Sequence, residues 1–198
     1  MKPMRRTGAN MAYFNTRELA AVSLSAALWA VINWLVSPVF WRLTHLPIIC
    51  DMLGVSALIL VAWWVRKPGV ASFLGVLATV LNFVLRPDAT QFVGFTAACV
   101  FFDVVLSALG YENVVEGGTK SSIILVVVSV VSMSIAGFII SSFFMNPNFL
   151  RATFGSAYLF AAIHGVGGLI GTVLGVMIVR GLESRSIFPA STMTLQPE

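Results

Sequence analysis

Asp51, in "PIICDMLGV", and His164, in "FAAIHGVGG", are the two titratable side chains most able to do chemistry, and each sits inside a long apolar run. A carboxylate and an imidazole could serve an intramembrane hydrolase, with His45 as a further base. No nucleophile is identifiable, and neither H-E-x-x-H nor G-x-S-x-G occurs. No histidines stand at metal-ligand spacing. Cys50 and Cys99 both lie in apolar runs and read as small buried hydrophobes, not as a disulfide framework or metal site. "GGTKS", 117–121, lacks the Gly-Lys-Ser/Thr ending of a phosphate loop and follows no strand, so ATP hydrolysis is not expected of this chain. Binding is the remaining chemistry. A charge at the bilayer centre costs roughly 2.5–3.5 kcal/mol, so an intramembrane carboxylate is expected to face a partner or a wet cavity.

The elements that must position these groups follow from composition. Of 198 residues, 58% are hydrophobic and 10% charged, where soluble domains carry about 25% charged residues. Mean hydropathy is +0.93. Apolar runs of roughly 17–24 residues match a bilayer core of about 30 Å, and spanning backbone must satisfy its own hydrogen bonds. The expected fold is an all-α integral membrane protein, a compact bundle of six transmembrane helices over about 17–36, 47–65, 69–85, 89–110, 121–144 and 155–180. The breaks are "SPVFWRLTHLP", "RKPG", "RPDAT", "GYENVVEGGTKS" and "MNPNFLRATFGS". Residues 1–16 form a basic N-terminal tail without a signal-peptide h-region, 17–180 the membrane domain, and 181–198 a C-terminal tail.

Lys and Arg set the orientation. With the N-terminus inside, Lys2, Arg5, Arg6, Arg17, Arg66, Lys67, Lys120, Arg180 and Arg185 are inner, and only Arg42, Arg86 and Arg151 are outer. That asymmetry places both termini in the cytoplasm and accounts for the +4 net charge without nucleic-acid binding. Asn33, Asp51, Asn82, Gln91, Tyr158 and His164 then fall in the outer half, Asp51 about one turn below the surface and His164 two to three turns deep. They are expected to line a substrate pocket lidded by the outer loops and walled by the first four helices and the sixth. Headgroup contact is the other reading for Asn33, Asn82 and Gln91 singly. Trp34, Phe40, Trp41, Phe83, Phe92, Phe95, Phe149, Phe154 and Tyr158 also gather outside, as an interfacial belt or as pocket walls. Asp103, deep toward the inside, is expected to form a structural pair with an inner-leaflet Arg or Lys.

Two helices carry faces of small residues, which let backbones approach in lipid. On the first, Ala20, Ser23, Ala26, Ala27 and Ala30 share an arc of about 120° at 100° per residue, interrupted only by Trp34. On the last, Gly167, Gly171 and Gly175 repeat every four residues and read as internal helix packing. "TRELAAVSLSAALWAVIN" and "QFVGFTAACVFFDVVLSALG", within six short-looped spans, resemble the substrate-binding S-components of energy-coupling factor (ECF) vitamin transporters from Thr16 to Arg180. The resemblance implies a subunit of the cell (plasma) membrane that captures a vitamin or related micronutrient at its outer face and is not itself an enzyme. It implies docking of helix 1 on a transmembrane coupling protein driven by two cytoplasmic ATPases. Those ATPases would use ATP, and this chain would carry no cofactor. Ser23, Ala26, Ala27 and Ala30 would be the docking positions, with Ser23 departing from a strict Ala-x-x-x-Ala form. The absence of a His-rich N-terminus argues against a nickel or cobalt importer, and three outer arginines permit an anionic or neutral ligand. The alternative is a stand-alone facilitator or intramembrane enzyme.

Overall fold

A computed structural model describes residues 13–189. The tail segments 1–12 and 190–198, with Lys2, Arg5 and Arg6, lie outside the described residues. The described chain forms helices α1 (Thr16–Thr44), α2 (Ile48–Val65), α3 (Val70–Leu85), α4 (Phe92–Leu109), α5 (Tyr111–Val115), α6 (Thr119–Phe143), α7 (Pro147–Phe154) and α8 (Ala157–Glu183). Five of them, α1, α2, α4, α6 and α8, are long and apolar enough to cross a membrane. The third expected span, α3, is apolar but has 16 residues. At 1.5 Å per residue it covers about 24 Å, less than a full hydrocarbon core.

The long helices close into a ring. Its order is α1, α2, α8, α6, α4, α3 and back to α1, each packing mainly on its two neighbours. Val55, Leu58, Ile59, Trp63, Phe102, Leu106 and Met133 fill the interior. Glycine makes the α2–α8 seam close. A Cβ on Gly171 would lie 2.8 Å from both the Met52 carbonyl oxygen and Val55 Cβ. One on Gly167 would lie 2.6 Å from Asp51 Cβ, and one on Gly175 would lie 3.1 Å from Ile59 Cβ. These three glycines therefore face α2. Gly165 and Gly168 face α6 instead, against Ser134 and Met133. Two small-residue rows let α8 sit closely against two partners at once, the contact that membrane packing favours. Ser56 ties the α2–α8 seam further, donating to the carbonyls of Met52 (2.6 Å) and Gly171 (3.1 Å).

Three local features differ from the sequence expectation. First, α1 does not stop before Pro38 but continues to Thr44, ending at a left-handed His45 (φ 56°). Proline removes one helix hydrogen bond, a loss that membrane helices tolerate. The two added turns are held by packing, because Trp41 meets Phe154 and Phe160 at ring distances of 6.2 and 6.4 Å. Second, "NPNFLRATF" is a helix and not a loop. Asn146 caps it by accepting from the amides of Asn148 (2.9 Å) and Phe149 (3.3 Å), Pro147 stands in the first turn, and Gly155 (φ 77°) ends it. Third, Asp103 meets no Arg or Lys among the described residues. It accepts from the backbone amides of Gly69 (2.9 Å) and Ser72 (3.0 Å) and from the Tyr111 hydroxyl. The N-terminus of α3 offers unpaired N–H groups and partial positive charge, so the carboxylate is neutralised without a cation. The cations that precede the start of α3, Lys67 and Arg66, are engaged elsewhere: Lys67 bonds Glu18 (2.8 Å) and the Tyr13 carbonyl (3.0 Å), and Arg66 bonds the Trp63 carbonyl (3.1 Å).

Candidate functional site

The end of the bundle that carries α7 holds a cavity of about 350 Å³. Its walls come from α1, α2, α4, α6 and α8, joined by the α1–α2, α3–α4 and α6–α7 connections. The deepest polar pair is Asp51 with His164, contributed by α2 and α8. His164 Nδ1 lies 3.0 Å from one Asp51 carboxylate oxygen and 2.9 Å from the other. Both side chains are buried. The Gly167 contact explains the pairing, since a larger residue there would push Asp51 off the helix that carries His164. His164 is held from the other side by Gly137, whose missing Cβ leaves room for the imidazole, and by the edge-on Phe160 ring at 4.7 Å. His164 Nε2 is buried and makes no hydrogen bond among the described residues.

A second polar chain stiffens the α1 wall. Ser37 donates to Asn33 Oδ1 (2.6 Å), Asn33 Nδ2 to Asn82 Oδ1 (3.1 Å), and Asn82 Nδ2 to the Ala78 carbonyl (2.8 Å). Asn33 and Ser37 line the cavity, whereas Asn82 stands behind Asn33 and orients it. Aromatic rings supply the rest of the wall. Phe95 and Phe92 line it from α4, and Trp29 of α1 stacks on Phe95 at 4.5 Å while meeting Phe92 edge-on. The Trp29 indole N–H donates to the Cys50 carbonyl (3.3 Å), locking α1 to α2 beside Asp51. Over the α7 end, Trp41, Phe149, Phe154 and Phe160 form a continuous aromatic cap.

The structure sorts the residues singled out in the sequence. Asn33, Asp51, Gln91 and His164 line one cavity, and Asn82 reaches it only through Asn33. Tyr158 does not: it is 76% exposed and packs on Phe138 at the bundle exterior. Its place in the first turn of α8 puts it near the cavity in depth, but its side of the helix turns away. Of the aromatics, Phe40, Trp41, Phe92 and Phe95 line the cavity, while Trp34 is largely exposed. The fifth expected helix, now α6, contributes Ala136 and Ile140, and α3 contributes no lining residue before Arg86 at its end. Phe160 and Trp29 went unnoticed in the sequence. Both are spaced toward buried neighbours (Phe160 one turn before His164, Trp29 one turn before Asn33), a helical signal that was available.

The small face of α1 divides in two. Ala26 and Ala30 are buried inside the chain's own ring with Val22, Trp29 and Asn33, so they are not open docking positions here. Ser23 and Ala27, with Ala20, remain at the surface. The 120° arc straddles the edge of the buried stripe, and α1 packs on α2 and α3 through its inner half.

The sequence matches no protein-family model and no curated protein. Among solved structures it is similar to a crystal structure of an S-component of ECF transporter, with a TM-score of 0.66 and 20% identity over 92% of this chain and 93% of that one. Likeness at that identity is a likeness of backbone, and it extends over nearly the whole of both chains. The chain is a multi-pass membrane bundle with the fold of an ECF-transporter S-component.

Proposed function

We propose that this chain is the substrate-capture subunit of an ATP-driven ECF-type importer of a vitamin or related small organic micronutrient. It works in the plasma membrane, with six spans, both termini cytoplasmic and the α7 end outside. The observation that carries this reading is the cavity at the α7 end, where the buried Asp51–His164 pair meets stacked aromatic walls. Cavities of this volume, mostly apolar with a few convergent polar groups, are the usual form of a small-molecule site. The fold-wide likeness to an S-component supports the assignment to that class of subunit.

In this reading Asn33, Asp51, Gln91 and His164 contact the substrate, and Asn82 positions Asn33. The aromatic cap over α7 covers the bound molecule. A transmembrane coupling protein and two cytoplasmic ATPases complete the importer, and ATP is spent on those partners. Docking uses the exposed small side of α1, Ser23 and Ala27 with Ala20, where another backbone can approach closely. Mass spectrometry of small molecules released from the full chain purified in detergent, with a census of co-purifying proteins from its native membrane, tests this. A retained organic micronutrient together with a coupling protein and ATPases is expected. A chain that purifies alone and retains nothing, from cells that take up the usual micronutrients, overturns the assignment.

A further inference from the structure

The charges around the cavity do not balance. Asp51 and His164 are paired with each other at its buried end. Two further charged side chains line the same cavity, Arg42 from the last turn of α1 and Arg86 from the end of α3. Arg42 makes no ion pair among the described residues. Among the described residues, the one ion-pair contact of Arg86 is 3.8 Å to Asp88, whose carboxylate is 81% exposed and therefore well hydrated. Two guanidinium groups from separate elements thus line one cavity, Arg86 with the hydrated Asp88 carboxylate beside it and Arg42 with no ion pair among the described residues.

We infer that the captured molecule carries an oxyanion, a carboxylate or phosphate, held between Arg42 and Arg86, with its ring inserted among the aromatic walls. The inference rests on the capture reading above. Guanidinium suits such a group because its planar fork donates two parallel, charge-assisted hydrogen bonds. Spacing supports an elongated ligand. Asn33 and Arg42 line the cavity from positions nine residues apart on α1, which is about 13 Å along a helix axis. An anion seated at Arg42 and Arg86 therefore leaves room for a ring against Phe95 and Phe92 and a polar end near Asn33 or His164.

A phospholipid headgroup offers the same oxyanion chemistry, so the test carries both sources. The full chain in detergent is titrated with phenylacetate, phenyl phosphate and neutral phenylacetamide, followed by tryptophan fluorescence, since Trp41 lines the cavity and Trp29 stacks on a lining ring. Both anions are expected to bind at least ~10-fold more tightly than the amide, the size of one or two charge-assisted hydrogen bonds. Arg42→Gln and Arg86→Gln should each remove most of that preference, weakening both anions several-fold more than phenylacetamide. Raised ionic strength should weaken the anions alone. Equal binding of acid and amide overturns the inference and leaves the cavity a ligand site. A flat response to all three probes overturns the capture reading of the cavity and the inference with it. Dihexanoyl-phosphatidylglycerol that displaces both anions but not phenylacetamide would assign the arginines to a headgroup, which also overturns the inference. The comparison between acid and amide needs no variant, so poor folding of an arginine mutant does not blunt it.

Discussion

Asp51 and His164 form a unit, and their energetics differ from those of two separate polar residues. Removing one partner of a buried hydrogen-bonded pair typically costs about 1–3 kcal/mol, because the other is left unsatisfied. Replacing both together costs much less. His164→Ala should therefore lower the thermal midpoint of the detergent-purified chain strongly. Asp51→Asn, which keeps a hydrogen-bond acceptor, should lower it less. The double variant should recover stability relative to His164→Ala alone, measured by thermal unfolding; additive losses would show that the 2.9 Å contact contributes nothing. Each variant should also weaken binding of the co-purified small molecule at least about fivefold by calorimetry, the loss of one polar partner in a desolvated site. At the opposite end, Tyr111 is held neutral: burial first, and then the Asp103 carboxylate to which it donates, push its phenol far above the ordinary value of 10.0. Unfolding frees that phenol to ionise near its ordinary value. A raised native pKa gives stability that is full below about pH 10 and is lost as pH rises beyond it. Tyr111→Phe should be less stable than the parent at neutral pH, by about 1 kcal/mol for one hydrogen bond. It should also lose less between pH 9 and 11 than the parent does. Parallel pH profiles would sink this account.

At the scale of elements, the helices were legible because long apolar runs have few alternatives in lipid. Their ends were less so. "SPVFW" reads as a stop, since proline disfavours helix, yet packing of Trp41 under the aromatic cap carries α1 through it. "NPN" held a legible cap-and-proline signal for α7, hidden by its polarity amid a membrane sequence. The small face of α1 is only partly legible, for a physical reason. Small residues suit close approach whether the neighbour belongs to the same chain or to another, and periodicity cannot tell one from the other. Exposure now separates them and makes the distinction measurable. Ala26 is fully buried and Ala27 is exposed. Ala26→Leu should overpack the ring and destabilise the isolated chain by about 1–3 kcal/mol. Ala27→Leu should leave its stability and ligand binding unchanged but weaken co-purification with the coupling protein. Intact assembly by Ala27→Leu would show that this side of α1 faces lipid alone.

For the whole molecule, the sequence placed the polar residues at one end but not the ring order that brings them together. Asp51 and His164 are 113 positions apart. They meet because α8 returns between α2 and α6, a neighbour relation set by matching glycine rows to larger partners across two seams. The bundle is thereby polarised. The cavity, Arg42, Arg86 and Arg151 lie toward the α7 end, while Arg17, Arg66, Lys67, Lys120, Arg180 and Arg185 lie toward the other. Basic residues near span ends are retained on the cytoplasmic side, so the basic end should face inward and the cavity outward. Single cysteines in a background lacking Cys50 and Cys99 test this in intact cells with an impermeant maleimide. Thr44→Cys and Asn148→Cys, beside the cavity, should label without permeabilisation. Lys67→Cys and Glu116→Cys, at the ends of α2 and α5, should label only after it. The short α3 gives the experiment its force. If α3 failed to cross, segments before and after it would lie on the same side, and Lys67 and Asn148 would no longer follow from one orientation. Labelling of Thr44 and Asn148 together, with Lys67 and Glu116 protected, requires an even number of crossings from 44 to 148 and an odd number from 44 to 67. Only a crossing α3 satisfies that pattern with α2, α4 and α6 spanning, whereas labelling of Lys67 from outside would turn the cavity toward the cytoplasm and remove its role in capture.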